Sequence, residues 1–340
     1  MAIQSANTGT DFLFPKLHGR WAEAWTGERL GSLLSGGMQA LGRALAPWGV
    51  SVQHRARVQK ELTEHLIAEL GAVRGLLDAA ASIFYGAFIH RYFLANLKTL
   101  LRRRYQESGE TDVEYLLVQS PQLPALPVEV MVSARTVHQF YRLIPPLPQH
   151  DRLLPILVEL DDSHDFLVAE ARIDALYYEW FLEAAAGVRR PARATALDLV
   201  QTEIDVLNLI MALRNVVIYR LPEASMERLF IAGGRLLPAP AAAGLADART
   251  VNGLLAGVPG EYAQALSAVG PRDLYRMDNA LWQLAFRRAE RAFRDFGRPA
   301  ASVASFPYLK QAEHLNLNRL FEGLYLKLDP AVTRTMLVGV

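Results

Sequence analysis

The chain has 340 residues and no cysteine, which excludes disulfide bonds and thiolate chemistry and fits a reducing compartment. Hydrophobic residues make up 51% of the sequence, enough for a sizeable core. Because 36 basic residues nearly balance 35 acidic ones, no broad electrostatic attraction to nucleic acid or to anionic lipid is expected.

The N-terminal segment 1–15 is small and polar and is predicted as a loose end. It lacks the basic, apolar and small-residue pattern of a secretion signal. No apolar run in the chain approaches the ~20 residues that span a bilayer. Any association with a membrane is therefore expected to come through a partner.

Beyond that segment the apolar residues recur mainly at spacings of three and four, which predicts helix almost throughout. Three short helices are each followed by a proline-containing break and then by a long helix, which we call the leading helix. The second and third leading helices end at glycine followed by proline, a helix stop. The predicted short helices span 38–45, 136–143 and 261–269, and the predicted leading helices span 54–77, 164–187 and 272–297.

A second long helix follows each leading helix and carries an Asn-Leu pair near its middle; we call these the Asn-Leu helices. They are predicted over 88–105, 200–218 and 308–326, with the asparagines at Asn96, Asn208 and Asn316. These residues lie about 110 positions apart, a fixed period that indicates three similar units. Asparagine is a mediocre helix former. Its recurrence suggests a repeated hydrogen bond, with a solvent-facing side chain as the alternative.

The repeat predicts an all-α chain of three helical repeat domains, at 16–112, 113–237 and 238–340. The proline-rich segment 121–127 and the alanine-rich segment 238–246 are predicted linkers. The best strand candidate, 229–237, is predicted as a short hairpin or loop around its paired glycines.

Asp161, Asp162 and Asp165 form a DDxxD pattern, which holds magnesium in all-helical prenyl-transfer enzymes because hard cations prefer carboxylate oxygens. Such a site needs a second acidic cluster, and the chain has no convincing one. Acids at the start of a predicted helix are also explained by capping and by the helix dipole. The histidines are scattered and no nucleophile elbow is present. No catalytic, cofactor-binding or metal-binding residue is therefore expected.

Two groups of arginines are candidates for contact with an acidic partner, although a solvated helix face is the simpler interpretation. One group ends the first Asn-Leu helix, where cations interact favourably with the helix dipole. The other lies along the third leading helix. The candidates are Arg102, Arg103, Arg104, Arg287, Arg288, Arg291 and Arg294.

Taken together, these residues resemble the C-type subunit family of rotary V-type and archaeal-type ATPases, equivalent to the d-type subunit of the vacuolar enzyme. The third unit is similar to a Lys-x-x-Glu-x-x-Asn-Leu motif of the family through Lys310, Glu313 and Asn316. The second unit is similar to a Glu-x-Asp-x-x-Asn-Leu motif through Glu203 and Asp205, with Gly-Gly-Arg at 233–235.

The similarity runs from about residue 16 to the end of the chain, and its order and spacing are more specific than any one motif. The chain also departs from the family pattern. Asn318 stands where the family usually has arginine, and Trp21 and Trp25 lie in an opening helix that tends to be basic in the family.

The resemblance implies a non-catalytic subunit with three helical domains around a pseudo-threefold axis, forming a funnel. It implies a socket on the membrane rotor ring that receives the central stalk, with its D-type and F-type subunits. Such a socket links ATP hydrolysis or synthesis to transport of protons or sodium. It further implies one copy per complex, a peripheral position at the cytoplasmic face of the membrane, no cofactor and no nucleic acid partner.

Two other classes of function stay open from the sequence. One is a magnesium-dependent prenyl-transfer enzyme that uses the three aspartates of the DDxxD pattern. The other is a free helical-repeat scaffold that binds peptides.

Overall fold

The computed structural model of the chain describes residues 8–105, 116–235, 245, 247–270 and 273–339. The regular structure in these ranges is helical and contains no strand, so the all-α prediction is confirmed. The helices are α1 (Thr8–Ala22), α2 (Gly27–Leu45), α3 (Arg55–Arg74), α4 (Ala79–Arg104), α5 (Val128–Val132), α6 (Val137–Arg142), α7 (His150–Ser163), α8 (Phe166–Gly187), α9 (Ala192–Arg214), α10 (Glu223–Glu227), α11 (Val251–Ala256), α12 (Gly260–Ser267), α13 (Leu274–Phe293), α14 (Ala301–Tyr325) and α15 (Pro330–Met336).

The six long helices form three packed hairpins, each made of a leading helix and the Asn-Leu helix that follows it. The hairpins are α3–α4, α8–α9 and α13–α14, joined by short turns that make the paired helices antiparallel. The first Asn-Leu helix begins at Ala79 rather than at residue 88. The Asp78 carboxylate accepts a hydrogen bond from the Ala81 amide at 2.9 Å and caps this earlier start.

The short helices are less regular than predicted. The helix α2 is longer than its predicted counterpart and bends at Gly37, whose φ of 68° favours glycine. The helix α7 was not predicted; it follows the proline-containing break after the second short helix and has Pro155 inside it. Its apolar residues nevertheless recur at helical spacing and are buried: Leu153, Ile156, Leu157 and Leu160.

The strand candidate at 229–237 is irregular chain in its described part, 229–235. Gly233 has a φ of 93°, and a Cβ atom there would lie 2.4 Å from Leu182 Cδ1. The positive φ favours glycine here, and a larger residue would also have to displace the Leu182 side chain of α8. Residues 236–237 and most of the predicted linker 238–246 lie outside the described residues.

Each repeat asparagine holds the backbone of a residue that lies 22 or 23 positions later in the chain. The side-chain amide donates to the carbonyl oxygen of that residue, and the side-chain oxygen accepts from its amide nitrogen. The donor–acceptor distances lie between 2.7 and 2.9 Å in the pairs Asn96–Val118, Asn208–Ile231 and Asn316–Val338.

These asparagine side chains are buried, with Asn208 only 1% exposed. One side-chain amide thus pairs with both the backbone N–H and the backbone carbonyl of the later residue, as a neighbouring β-strand would. The hydrogen bond suggested by the recurrence of asparagine is thus present at all three positions, and none of the three side chains faces solvent.

Each Asn-Leu helix also packs against the leading helix of the next unit. The helix α4 packs on α8, α9 packs on α13, and α14 returns to α3. The contacts between long helices therefore form a closed cycle. The N-terminal helices α1 and α2 pack against α14, so the start of the chain covers the third unit at the point where the cycle closes.

The largest hydrophobic cluster contains residues of all three hairpins. Two further clusters surround the C-terminal halves of α9 and α14. The predicted domain boundaries, at 112/113 and 237/238, lie outside the described residues. None of the helices in the described ranges combines the length and apolar character needed to cross a membrane.

Replacing Asn208 with alanine leaves the amide and carbonyl of Ile231 buried without partners. We expect Asn208→Ala to lower the free energy of unfolding by about 2 kcal/mol, measured by urea denaturation. Asn252→Ala, at an exposed position in α11, is the matched control and should stay within about 0.5 kcal/mol of the wild type. Equal stability of the two variants would contradict a stabilising role for the buried amide.

Candidate functional site

A buried ion pair lies where the three Asn-Leu helices approach one another. The pair is formed by Arg91 and Glu203, and Gln311 lies beside it. All three residues occupy the same place in their units, five positions before the asparagine. The Arg91 guanidinium donates to both carboxylate oxygens of Glu203, at 2.6 and 3.3 Å, and to Gln311 Oε1 at 3.5 Å.

Aromatic rings enclose this pair. The Arg91 guanidinium lies 3.9 Å from the centre of the Phe88 ring, and the Tyr178 hydroxyl donates to Glu203 Oε1 at 2.9 Å. Burial disfavours the charged guanidinium, but the nearby Glu203 carboxylate outweighs it, and the pKa of Arg91 is raised. The cluster therefore holds two charges in a nearly dry environment, where each depends on the other.

A second repeated contact joins each Asn-Leu helix to the next leading helix, six positions after the asparagine. The ion pairs are Arg102–Glu170 at 2.5 Å, Arg214–Asp278 at 3.6 Å and Glu322–Arg55 at 2.8 Å, the last with its charges reversed. Since these side chains are partly exposed, each pair adds little stability. Their common position shows that the three junctions share one register.

The charged residues of the family-like motifs also lie at these junctions. Lys310 pairs with Glu69 of α3 at 2.8 Å and with Glu313 on its own helix. Glu313 also accepts from the Trp25 amide at 2.7 Å, so Trp25 fixes the N-terminal helices to the third unit. Burial works against the Lys310 ammonium, but the two carboxylates outweigh it and raise its pKa. In the second unit, buried Asp205 accepts from the Tyr262 hydroxyl at 3.0 Å.

The candidate arginines are divided between these junctions and the surface. Arg102 pairs with Glu170, and Arg104 pairs with Asp161 at 2.9 Å. Arg288 pairs with Asp198 at 3.0 Å and with Glu261 at 2.5 Å. Arg103 is half-buried, whereas the remaining candidates are exposed: Arg287, Arg291 and Arg294.

The three aspartates of the DDxxD pattern do not form one site. Asp161 and Asp162 lie in the last turn of α7, where the helix dipole disfavours a carboxylate, and Arg104 and the Tyr105 hydroxyl hold Asp161. Asp165 caps α8 by accepting from the Val168 amide at 3.1 Å. The predicted place at a helix start is therefore wrong for the first two aspartates. No group of three His, Cys, Asp or Glu side chains among the described residues could hold a metal ion.

A cavity of about 390 Å³ lies beside the buried ion pair, between α4, α13 and α14. Tyr92, Trp282, Phe286 and Leu315 give it a mainly apolar wall, and Arg319 lies at its polar edge. Such a wall with a few polar groups is typical of a binding site.

The Asn-Leu helices α4 and α14 touch before their asparagines, whereas α9 and α14 pack in different hydrophobic clusters after theirs. Phe88 and Tyr308, each eight positions before its asparagine, have ring centres 5.2 Å apart. Beyond the asparagines, Leu213 packs with α11 to α13, whereas Leu320 packs with α2 and α3. The C-terminal halves of α9 and α14 therefore pack in separate hydrophobic clusters.

His314 lies along the wall of the cavity and contacts the adjoining helix α3. Its Nε2 atom is 2.9 Å from Thr63 Oγ1 and 3.0 Å from the Asn318 amide nitrogen. Burial lowers its pKa to about 4, with a smaller contribution from nearby His65. The neutral amide of Asn318 thus lies beside an uncharged imidazole, at the position where the family resemblance leads one to expect arginine.

Sequence reasoning missed the partners of these residues. Aligning the repeats on their asparagines would have placed Arg91, Glu203 and Gln311 at one position, with opposite charges on two of them. The sequence carries no comparable signal for Glu69 or Tyr262, because neither lies on an Asn-Leu helix and an alignment on the asparagines does not compare them.

Glu203→Gln removes the charge that compensates buried Arg91. We expect this variant to lose about 3 kcal/mol of unfolding free energy, because an unpaired buried guanidinium is costly. Glu227→Gln, at an exposed position in α10, should be nearly neutral. The double variant Arg91→Met with Glu203→Leu should regain most of the loss. A cost below about 1 kcal/mol for Glu203→Gln would show that the pair is not needed.

The folded chain should lose stability as the pH is lowered through the window from 6.5 to about 4. His314 has a lower pKa in the folded chain than the ordinary 6.5, so the unfolded state binds more protons in this window. His314→Gln should therefore lose about 2 kcal/mol less than the wild type between pH 7 and pH 5 in denaturation measurements. Exposed His138→Gln is the control and should keep the wild-type slope; an unchanged slope in His314→Gln would contradict the assignment.

Comparison with known proteins identifies relatives over most of the chain. The sequence model of the ATP synthase (C/AC39) subunit family matches residues 49–336. The C-type subunit of the A-type ATP synthase of Methanosarcina mazei is 25% identical over 261 residues, which cover 74% of this chain and 69% of that protein. The protein of the same name from Methanosarcina barkeri is 25% identical over 143 residues, covering 42% and 37% of the two chains. Because the family match extends over much more than half of its residues, the chain belongs to the ATP synthase (C/AC39) subunit family.

Proposed function

We propose that the chain is a non-catalytic subunit of the central rotor in a V-type or A-type ATPase. It would act as a socket between the central stalk and the membrane rotor ring, and so couple ATP hydrolysis or synthesis to transport of protons or sodium. One observation supports this role most strongly: the long helices form a closed cycle that is built from the same contacts three times. A cavity lies between three of these helices, α4, α13 and α14.

A pseudo-threefold funnel is the arrangement that these contacts favour. The asparagine bonds, the residues five positions before them and the ion pairs six positions after them recur in the same register. A ring contact joins α4 and α14 before their asparagines, and α9 and α14 pack in different hydrophobic clusters after theirs, which is compatible with a funnel. The three proposed domains, 16–112, 113–237 and 238–340, would then be the three sectors of the funnel.

The cavity is the proposed seat for the end of the central stalk, made of D-type and F-type subunits. Its apolar wall can bury the tip of a helix, while Arg319 and Asp278 at its edge can bond polar groups of the partner. Torque transfer requires a stiff socket rather than reactive groups. The cycle of packed helices provides this stiffness, because one unit cannot turn without disturbing the next.

The family and the names of the relatives favour a multi-subunit complex. We propose one copy of the chain in it, peripheral to the membrane on its cytoplasmic face. We propose that the exposed arginines Arg287, Arg291 and Arg294 contact an acidic partner protein. Arg102, Arg104 and Arg288 fit a role at the junctions between units instead.

Affinity purification of the tagged chain from its own membranes tests the socket directly. Stalk and rotor-ring subunits should both be recovered, identified by mass spectrometry. Recovery of neither would contradict the rotor function and favour a free helical scaffold.

A charge inside the cavity should weaken binding of the stalk. We expect Leu315→Glu to raise the dissociation constant for the purified stalk subunits at least about tenfold, because a carboxylate would lie against apolar contacts. Val130→Glu adds the same charge on exposed α5 and should bind like the wild type. Circular dichroism checks that both variants are folded. Unchanged affinity of folded Leu315→Glu would place the stalk elsewhere.

A further inference from the structure

The three hairpin turns lie together at one end of the molecule, which we call the turn end. They connect the leading helices to the Asn-Leu helices at 75–78, 188–191 and 294–300. Arg189 of the second turn is 3.8 Å from Asp78 of the first. The Tyr85 hydroxyl, just beyond the first turn, donates to the Val303 carbonyl just beyond the third at 2.9 Å. The turns are therefore neighbours in space.

Large apolar side chains protrude singly from this end. Phe296, in the third turn, is 72% exposed and is the most exposed large apolar residue described. Its ring contacts Phe14 of α1, with ring centres 5.6 Å apart, and Phe12 nearby on α1 is 57% exposed. Leu76 in the first turn and Ile83 just beyond it are also exposed. The protruding residues lie on separate elements rather than in one groove.

Basic residues surround these apolar side chains. The segments 12–16, 74–83, 183–193 and 289–298 together hold eight basic residues and four acidic ones, in a chain whose net charge is only +1. Arg190 and Arg291 are exposed. Arg294 and Arg298 pair with Glu290 and Asp295, but such pairs at the surface are weak and leave the arginines open to a stronger anion.

We infer that the turn end binds the headgroups of anionic phospholipids. Arginines on long side chains attract the lipid phosphates, and the protruding Phe296 and Phe12 can enter the boundary between headgroups and acyl chains. A fluid headgroup layer accommodates scattered side chains without a complementary shape. A protein partner would instead require a continuous packed surface.

This inference goes beyond the proposed rotor function, in which the chain reaches the membrane only through the ring. It also refines what the small net charge implies. The charges are unevenly distributed, so the segments outside the turn end are acidic on balance. Lipid binding by the isolated chain does not depend on the stalk or the ring. The lipid proposal and the rotor function can therefore be contradicted independently of each other.

Vesicle sedimentation with the purified full chain tests the inference. Vesicles of phosphatidylcholine are compared with vesicles that also contain phosphatidylglycerol. The variants are Arg190→Gln with Arg291→Gln, and Phe296→Ser alone. The control, Arg220→Gln with Arg334→Gln, removes the same charge from exposed residues beyond the C-terminal ends of two Asn-Leu helices, at the opposite end.

The wild type and the control should bind the anionic vesicles, with binding that falls as salt is raised, and should bind phosphatidylcholine poorly. The double variant at the turn end should bind roughly tenfold more weakly, and Phe296→Ser should also lose affinity. Absence of binding to anionic vesicles would overturn the inference, and so would an equal loss in the control. Retention on rotor rings without any binding to vesicles would assign the turn end to a protein partner instead.

Discussion

The paired hydrogen bonds of three buried asparagines are the interaction on which the rest of the structure depends. Each fixes the chain that returns after an Asn-Leu helix to the middle of that helix. This leaves one face of the helix free to pack on the leading helix of the next unit. Without it, the returning segment would carry an unpaired amide and carbonyl into the core. Asparagine, a mediocre helix former, thus stands at the position where a short side chain must both donate and accept a hydrogen bond.

The buried ion pair acts at the next level of organisation. Arg91 and Glu203 come from different units and are held by rings from both. A pair of this kind contributes less to stability than to the choice of one arrangement, because any other rotation of the helices would bury a charge without its partner. The same reasoning applies to Lys310 between Glu69 and Glu313, where the third unit meets the first. Charged residues of the family-like motifs therefore position the helices relative to one another.

The sequence was sufficient to predict the long helices and their repeat of about 110 residues, because apolar spacing and the Asn-Leu pairs are local signals. It was not sufficient for α7, which follows a proline-containing break and has a proline inside it. Because α7 was not predicted, Asp161 and Asp162 were placed at the start of the next helix instead of at the end of this one. The partners of the asparagines could not be predicted, since Val118, Ile231 and Val338 are bonded through their backbones and leave no pattern in the sequence. The sequence also could not predict which candidate arginines pair within the chain and which face solvent. Arg102 pairs with Glu170 because α8 lies beside it, and that packing has no local signal in the sequence.

Because the chain has no cysteine, one introduced cysteine can be cross-linked at a chosen position to test the proposed socket. One cysteine at Leu315 in the cavity can be cross-linked in the assembled complex, with a cysteine at Val130 on exposed α5 as the control. The rotor function predicts a product between the Leu315 position and one of the central-stalk proteins, and none from the Val130 position. Assembly of the complex without that product, or equal products from both positions, would contradict the cavity as the seat of the stalk.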